Sequence, residues 1–448
     1  MSFDKVKVLL TCCGLLLCTL PAHAASLIRD AELELSLRKL MQPVLQSAGM
    51  GADRVRVLVI NDPSLNAFVT DSRHIFVHSG LIMKLDRPEA LQAVLAHELA
   101  HITNGHLSRR GVNAQNMSKA GAIGMALSVA SALAGQGSAG FALGVGTASS
   151  ALRVFLSHTR AEESSADQTA LRYLADAGID PSAMSDTLDL FVGQEALRPG
   201  RQDPYARSHP LSRDRLRAVD GFAAALKSKA KPTPPETVYW YNRMDAKLQG
   251  FLRNSKYVLR RPEAQGSSET ARLRRAIAYH QMPNPKKALS EIDALLRMRP
   301  KDAYYHELKG QILLESGNAA AAANSYRKAV SLAPREPLIQ AGLGRALLAV
   351  DTRSANAEAL SVLRKARARD PGDPRMLRSL ALAYAKTGQS AMASLATAER
   401  YAVLGRFKDA STHAKRAQGA LPRGSSGWLR AGDVLRTAEA ALKRRKNR

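Results

Sequence analysis

The sequence predicts a mainly helical α+β domain followed by an α-helical solenoid. Three observations carry this prediction. Short alternating segments between residues 54 and 78 read as strands. The long stretches on either side place apolar residues at helical spacing. The C-terminal third repeats itself with a 34-residue period. A chain of 448 residues exceeds one ordinary core, and its 45% hydrophobic and 23% charged content belongs to a globular protein.

The first 24 residues stand apart. "MSFDKVKVLLTCCGLLLCTLPAHA" has Lys5 and Lys7, an apolar run over 8–20, then Ala22-His23-Ala24. This is the three-part pattern of a secretory signal peptide cleaved after Ala24. The apolar run is too short to span a bilayer comfortably, and Leu17 before Cys18 is not the small residue of a lipoprotein signal. All three cysteines, Cys12, Cys13 and Cys18, lie inside this segment. The mature chain would then have no disulfide and no thiolate, so any metal must be held by histidines and carboxylates.

Residues 26–49 read as an amphipathic helix. "RVRVLVIN" (54–61) alternates like a strand, and "NAFVTD" (66–71) and "HIFVHSG" (74–80) follow as short strands around a polar turn at Asp71-Ser72-Arg73. Over 88–104, Leu91, Val94, Leu95, Leu99 and Ile102 keep helical spacing, with Pro88 in the first turn. Residues 120–152 carry no charge over 33 positions and are rich in glycine. The expectation there is a helical hairpin or mobile loop near the functional site or against a membrane surface, with a membrane span as the alternative. "KSKAKPTPPET" (227–237) reads as a linker.

The repeat is anchored by Pro300 and Pro334. Before Pro334 stand Gly310, Leu313, Gly317, Ala322, Tyr326 and Ala329. The places before Pro300 hold Ala276, Tyr279, Ala288, Ile292 and Leu295, and related patterns precede Pro371 and Pro422. Small residues where two helices cross, a bulky one where they pack and a closing proline resemble the tetratricopeptide repeat. Residues 374–388 read as an unpaired or degenerate half repeat. Such units cannot bury their apolar faces alone and stack into a solenoid with a concave binding surface.

Net charge is +26, and residues 271–448 supply +20 of it, with 34 basic against 14 acidic side chains. Five of the last six residues are basic. This charge suits an anionic membrane surface, touched peripherally, or acidic partners. Nucleic acid is not expected outside the cytoplasm.

The chemistry concentrates in "LAHELAHITNGH" (95–106). His97 and His101 are four residues apart, one turn apart on one helix face, so both imidazoles can reach one metal. Glu98 can approach the attacking water. This is the H-E-x-x-H pattern of zinc metalloproteases. A hydrolytic site needs a third protein ligand. "TRAEESSAD" (159–167) offers Glu163 for that role, with Asp167 one turn later to accept a hydrogen bond from a ligand histidine. His106, five residues past His101, points to another face of the helix and reads as structural; His74, His78 and His158 receive no role.

H-E-x-x-H (97–101) followed by E-x-x-A-D (163–167) resembles the metallopeptidase family that contains HtpX and the CAAX prenyl proteases. Residues 66–82 look like that family's strand segment before the metal helix, and "SHPLSRDR" (208–215) is similar to its His-Pro segment and arginine. The resemblance implies a gluzincin-like zinc metalloprotease domain holding one Zn²⁺ per chain through His97, His101 and Glu163. Glu98 is expected to be the general base. For His209 three roles stay open: a fourth ligand that holds the enzyme latent, an oxyanion stabiliser, or a structural loop histidine. Asn66 and Arg215 are expected among the substrate-binding residues, with the edge of the 66–77 segment pairing with an extended substrate.

The expected organisation is a signal peptide (1–24), a zinc metalloprotease domain (25–226), a linker and connecting helix (227–268), a tetratricopeptide domain (269–440) and a basic tail (441–448). Combined, these parts resemble family members that act in the periplasm. They imply degradation of unfolded or misassembled outer-membrane proteins, with the repeats docking the outer-membrane β-barrel assembly machinery. The alternative is a chaperone or adaptor with a largely latent protease site.

Overall fold

A computed structural model of the chain describes residues 26–107, 159–197 and 201–446. The expected signal peptide and the uncharged segment 120–152 lie outside the described residues.

The chain opens with β1 (Ser26–Ile28) and then α1 (Ala31–Ser47). The sequence predicts one helix over 26–49, covering both. Asp30 separates them: its carboxylate accepts from the backbone N–H groups of Glu32 and Leu33 and starts the helix there. β1 pairs antiparallel with β2 (Arg56–Asn61), whose other edge pairs in parallel with β4 (His74–His78). β3 (Ala67–Val69) pairs antiparallel with β4. The strand order is therefore β1-β2-β4-β3, which leaves β3 at an edge. Two histidines without an assigned role hold turns in this sheet. His74 Nδ1 lies 3.1 Å from Asp71 Oδ2, and His78 Nδ1 lies 2.9 Å from Ser64 Oγ.

After α2 (Ser79–Lys84), α3 (Pro88–Thr103) runs through the middle of the first domain. Its residues 88–101 are all buried, among α1, the sheet and the helices that follow. These are α4 (Arg160–Asp176), α5 (Ser182–Asp189), α6 (Pro204–Ser208) and α7 (Arg213–Leu226).

The residues after 227 do more than connect. α8 (Pro235–Leu252) packs on α1 and on α10 (Glu269–Gln281), with the short α9 (Ser255–Arg260) between. Arg243 and Lys247 of α8 are both fully buried. Arg243 Nε lies 2.5 Å from Glu32 Oε1, and Nη1 lies 2.5 Å from Asp302 Oδ2. Lys247 Nζ lies 2.8 Å from Asp30 Oδ2 and 3.2 Å from Glu32 Oε2. Burial opposes the charge on Arg243, but Glu32 and Asp302 outweigh it and hold the guanidinium protonated. Buried cations require such partners.

The solenoid continues through α11 (Pro285–Met298), α12 (Ala303–Glu315), α13 (Ala319–Leu332), α14 (Pro337–Val350), α15 (Arg353–Arg369), α16 (Pro374–Lys386), α17 (Ser390–Val403), α18 (Phe407–Ala420) and α19 (Ser426–Lys446). Tyr326 shows why the small positions matter. A Cβ on Gly310 would lie 2.6 Å from its ring, and one on Gly342 2.3 Å, so only glycine lets three helices close on this tyrosine. Residues 374–388 supply one helix, α16, between the unit closed by Pro371 and the unit α17–α18 closed by Pro422, the place of an extra half repeat. α16 forms a hairpin with α17, burying Leu380, Ala383, Leu395 and Ala396.

The two halves also meet through Arg29, which lies 2.6 Å from Glu34 and 2.5 Å from Asp370 at the end of α15. Among the described residues no helix is long and apolar enough to cross a membrane.

Candidate metal centre

Three local structures aim side chains at one point. α3 presents His97 and His101 on one face with Glu98 beside them, and all three are at most 1% exposed. α4 begins with a capping box: the Thr159 hydroxyl accepts from Glu162 N–H, and the Glu162 carboxylate accepts from Thr159 N–H. That fixes the first turn and sets Glu163 facing α3, with Asp167 one turn on. His209 ends α6, where its backbone N–H closes on Tyr205 O at 2.8 Å and its ring packs 4.5 Å from the Tyr205 ring.

The donor atoms converge. His97 Nε2 is 3.0 Å from His101 Nε2 and 3.3 Å from His209 Nδ1. Glu163 Oε1 is 3.3 Å from His101 Nε2 and 3.0 Å from His209 Nδ1. The four residues can each offer one ligand atom, all within 4.8 Å of one another. Two donors of a tetrahedral ion with bonds of about 2.0–2.1 Å stand about 3.3 Å apart. The observed spacings match that figure, and the imidazole and carboxylate set suits a borderline ion.

Around the donors lies a ring of supporting groups. Asp167 Oδ1 is 3.0 Å from His97 Nδ1. Arg215, in the first turn of α7, donates to Asp167 through Nε at 2.6 Å and Nη2 at 2.9 Å, while its Nη1 lies 2.7 Å from Glu163 Oε2. Arg215, expected among the substrate-binding residues, is buried and engaged with these two carboxylates. Asn66 is also buried, and its backbone oxygen accepts from His78 N–H in the sheet. His106, expected to face elsewhere, sits 2.9 Å from His101, Nδ1 to Nδ1.

Electrostatics follow from burial and these neighbours. Burial opposes a charge on His97, yet Asp167 and Glu163 overturn it and pull the pKa up to about 10. Burial holds His101 well below the usual imidazole range. Burial would raise Glu163, but His209 and Arg215 hold it well below the carboxylate range. Glu98 moves the other way. Burial raises it, only partly offset by His209 and His97. Neither Glu98 oxygen makes a hydrogen bond among the described residues; His209 Nε2 stands 3.3 Å from Oε1. A buried carboxylate in this condition awaits a proton-bearing partner at the donor cluster.

Comparison with known proteins identifies the domain. Residues 31–223 match the model of peptidase family M48. The first domain is an M48 peptidase. Residues 270–337 match a tetratricopeptide repeat model. The β-barrel assembly-enhancing protease of Yersinia pestis is 26% identical over 86% of this chain and 79% of its own length. That of Escherichia coli K12 is 25% identical over 90% of this chain and 82% of its own. The mitochondrial metalloendopeptidase OMA1 of Schizosaccharomyces pombe is 28% identical over 48% of this chain and 59% of its own. The chain is thus a metalloprotease of the M48 type with tetratricopeptide repeats, and its buried histidine and glutamate cluster fits the metal that this family implies.

Proposed function

We propose that this chain is a periplasmic zinc-dependent endopeptidase that degrades misassembled outer-membrane proteins and assists their assembly. The observation that carries the reading is the convergence of His97, His101 and Glu163 beside a buried Glu98 whose oxygens lack hydrogen-bond partners among the described residues. The names of the two bacterial relatives, which match most of this chain, supply the link to outer-membrane assembly.

In this reading His97, His101 and Glu163 hold one zinc ion, which when bound supplies Lewis acidity to the scissile carbonyl and the attacking water. Glu98 takes the proton from that water and delivers it to the leaving amine; burial raises its pKa toward the range where it can do both. Asp167 holds His97 with Nε2 toward the centre, and Arg215 holds Asp167. The edge strand β3 reaches the site, since Ala67 O lies 3.3 Å from His209 Nε2. An extended substrate adding to that edge is delivered to the donors by backbone pairing, which selects unfolded chains.

A second reading, a chaperone or adaptor with a largely latent site, is favoured by His209. Its Nδ1 stands among the donors where a fourth ligand would, and a site closed by four protein ligands leaves no open position for water. Glu98→Gln separates the readings. The endopeptidase reading expects retained zinc, lost proteolysis and failed complementation in outer-membrane assembly. Equal rescue by wild type and variant would leave chaperoning as the main role.

A further inference from the structure

A concavity away from the metal centre lies on the inner face of the solenoid. Its volume is about 800 Å³. α12, α14 and α16 line one side, and α8 with the start of α1 close the other. The helices contribute equivalent positions. Gln311, Arg345 and Ser379 follow one another at 34-residue intervals, and Leu314 and Leu382 occupy one register two repeats apart. Leu382 is 46% exposed in this groove.

The acidic groups each have a neighbour of their own. Asp30 pairs with Lys247, and Glu307 lies 3.7 Å from the same ammonium. Glu315 lies 2.8 Å from His280. Asp373 caps α16 by accepting from the backbone N–H groups of Arg375 and Met376. Arg29 is engaged by Glu34 and Asp370. Arg345, Arg375 and Arg378 are exposed and form no ion pair within 4.0 Å among the described residues, and Arg345 lies near enough to Glu307 and Glu315 to favour their ionised forms.

We propose that this groove captures an extended acidic polypeptide segment, its carboxylates pairing with Arg345, Arg375 and Arg378 and its intervening apolar side chains resting on Leu314 and Leu382. The occupant is a chain because the groove crosses three parallel-stacked helices inside a concavity, where a flat lipid surface cannot follow. Neighbouring helices pack about 8–10 Å apart and an extended chain advances about 3.3 Å per residue, so carboxylates about three residues apart match the spacing. Forked guanidinium donors favour carboxylates over neutral amides. The inference rests on the reading of the solenoid as a docking arm. Its readout is binding, so it stands or falls apart from the peptidase site.

The test uses the full chain and a fluorescent nine-residue peptide of repeated Glu-Leu-Ser units, followed by anisotropy. The expected result is salt-sensitive binding, weakened at least about tenfold when glutamine replaces glutamate in the peptide and to a similar degree by Arg375→Glu with Arg378→Glu. Arg375→Lys with Arg378→Lys should keep most of the affinity. Arg364→Glu, on the outer helix α15, should change nothing. Equal binding of the glutamine peptide, no effect of the Arg375/Arg378 reversal, or an equal loss in Arg364→Glu would overturn the proposal. So would displacement of the peptide by phosphatidylglycerol vesicles but not by excess unlabelled peptide, which would assign these arginines to lipid.

Discussion

Asp167 Oδ1 lies 3.0 Å from His97 Nδ1, and the far side of Asp167 is held by the fork of Arg215. The pair sets which imidazole nitrogen faces the donor cluster. Such supporting carboxylates tune the ligand they hold. Asp167→Asn is therefore expected to weaken zinc affinity about 10- to 100-fold while leaving the ligands in place. Competition with a chelator of known affinity measures this, and an unchanged midpoint would refute the role.

His209 brings a fourth donor atom into the cluster and stacks on Tyr205. If it closes the site, His209→Ala should raise basal cleavage of an unfolded reporter polypeptide, with zinc content retained. A rate equal to wild type would return His209 to a structural role.

Arg243 is the hub of the contact between α1, α8 and the start of α12. Arg243→Met leaves Glu32 and Asp302 without their main partner in a buried setting. The expected loss is about 3 kcal/mol, at the lower end for a broken buried pair because Lys247 stays beside Glu32. Urea unfolding followed by circular dichroism should show the shift in midpoint; a wild-type curve would contradict the account.

Glu336, between α13 and α14, has its pKa raised from 4.5 to about 7, mainly by burial and then by Glu34. The folded state thus holds this proton more tightly than the unfolded state. Its contribution is fully present below about pH 4.5 and is lost as pH climbs to about 7, on the order of 1–3 kcal/mol. Glu336→Gln should flatten the stability profile over that window and raise the melting temperature at pH 8. A variant with the wild-type slope would exclude Glu336 as its source.

Much of the candidate site can be read in the sequence because its spacings are those of single helices. His97 and His101 share a face of α3, and Glu163 and Asp167 share one of α4. His106 escaped the reading for a physical reason. Helical periodicity was carried past the helix end, whereas α3 stops at Thr103 and Gly105, at φ +69°, turns the chain back so that His106 returns to His101. The carboxylate partners of Arg215 are not legible because a surface cation and a buried ion pair look alike in one dimension. β1 has only three residues, too few for alternation to register, and borrows its stability from β2. The solenoid was legible from its period, but Arg243 and Lys247 look like ordinary surface cations of a connecting helix. Only the fold reveals that acids from distant segments enclose them.

Arg29 and Asp370 meet across 341 positions of chain. Closing so long a loop is slow and entropically costly compared with forming the helix hairpins of the repeats, each built from near neighbours. A chain that emerges from its amino end first must therefore complete α15 before the strand β1 and the start of α1 can be fastened to the solenoid. Folding order follows from that one ion pair: the peptidase half gains its final grip only after most of the repeats exist. Fragments that end before Asp370 should be open to exogenous proteases near Arg29, at a place the finished molecule keeps covered.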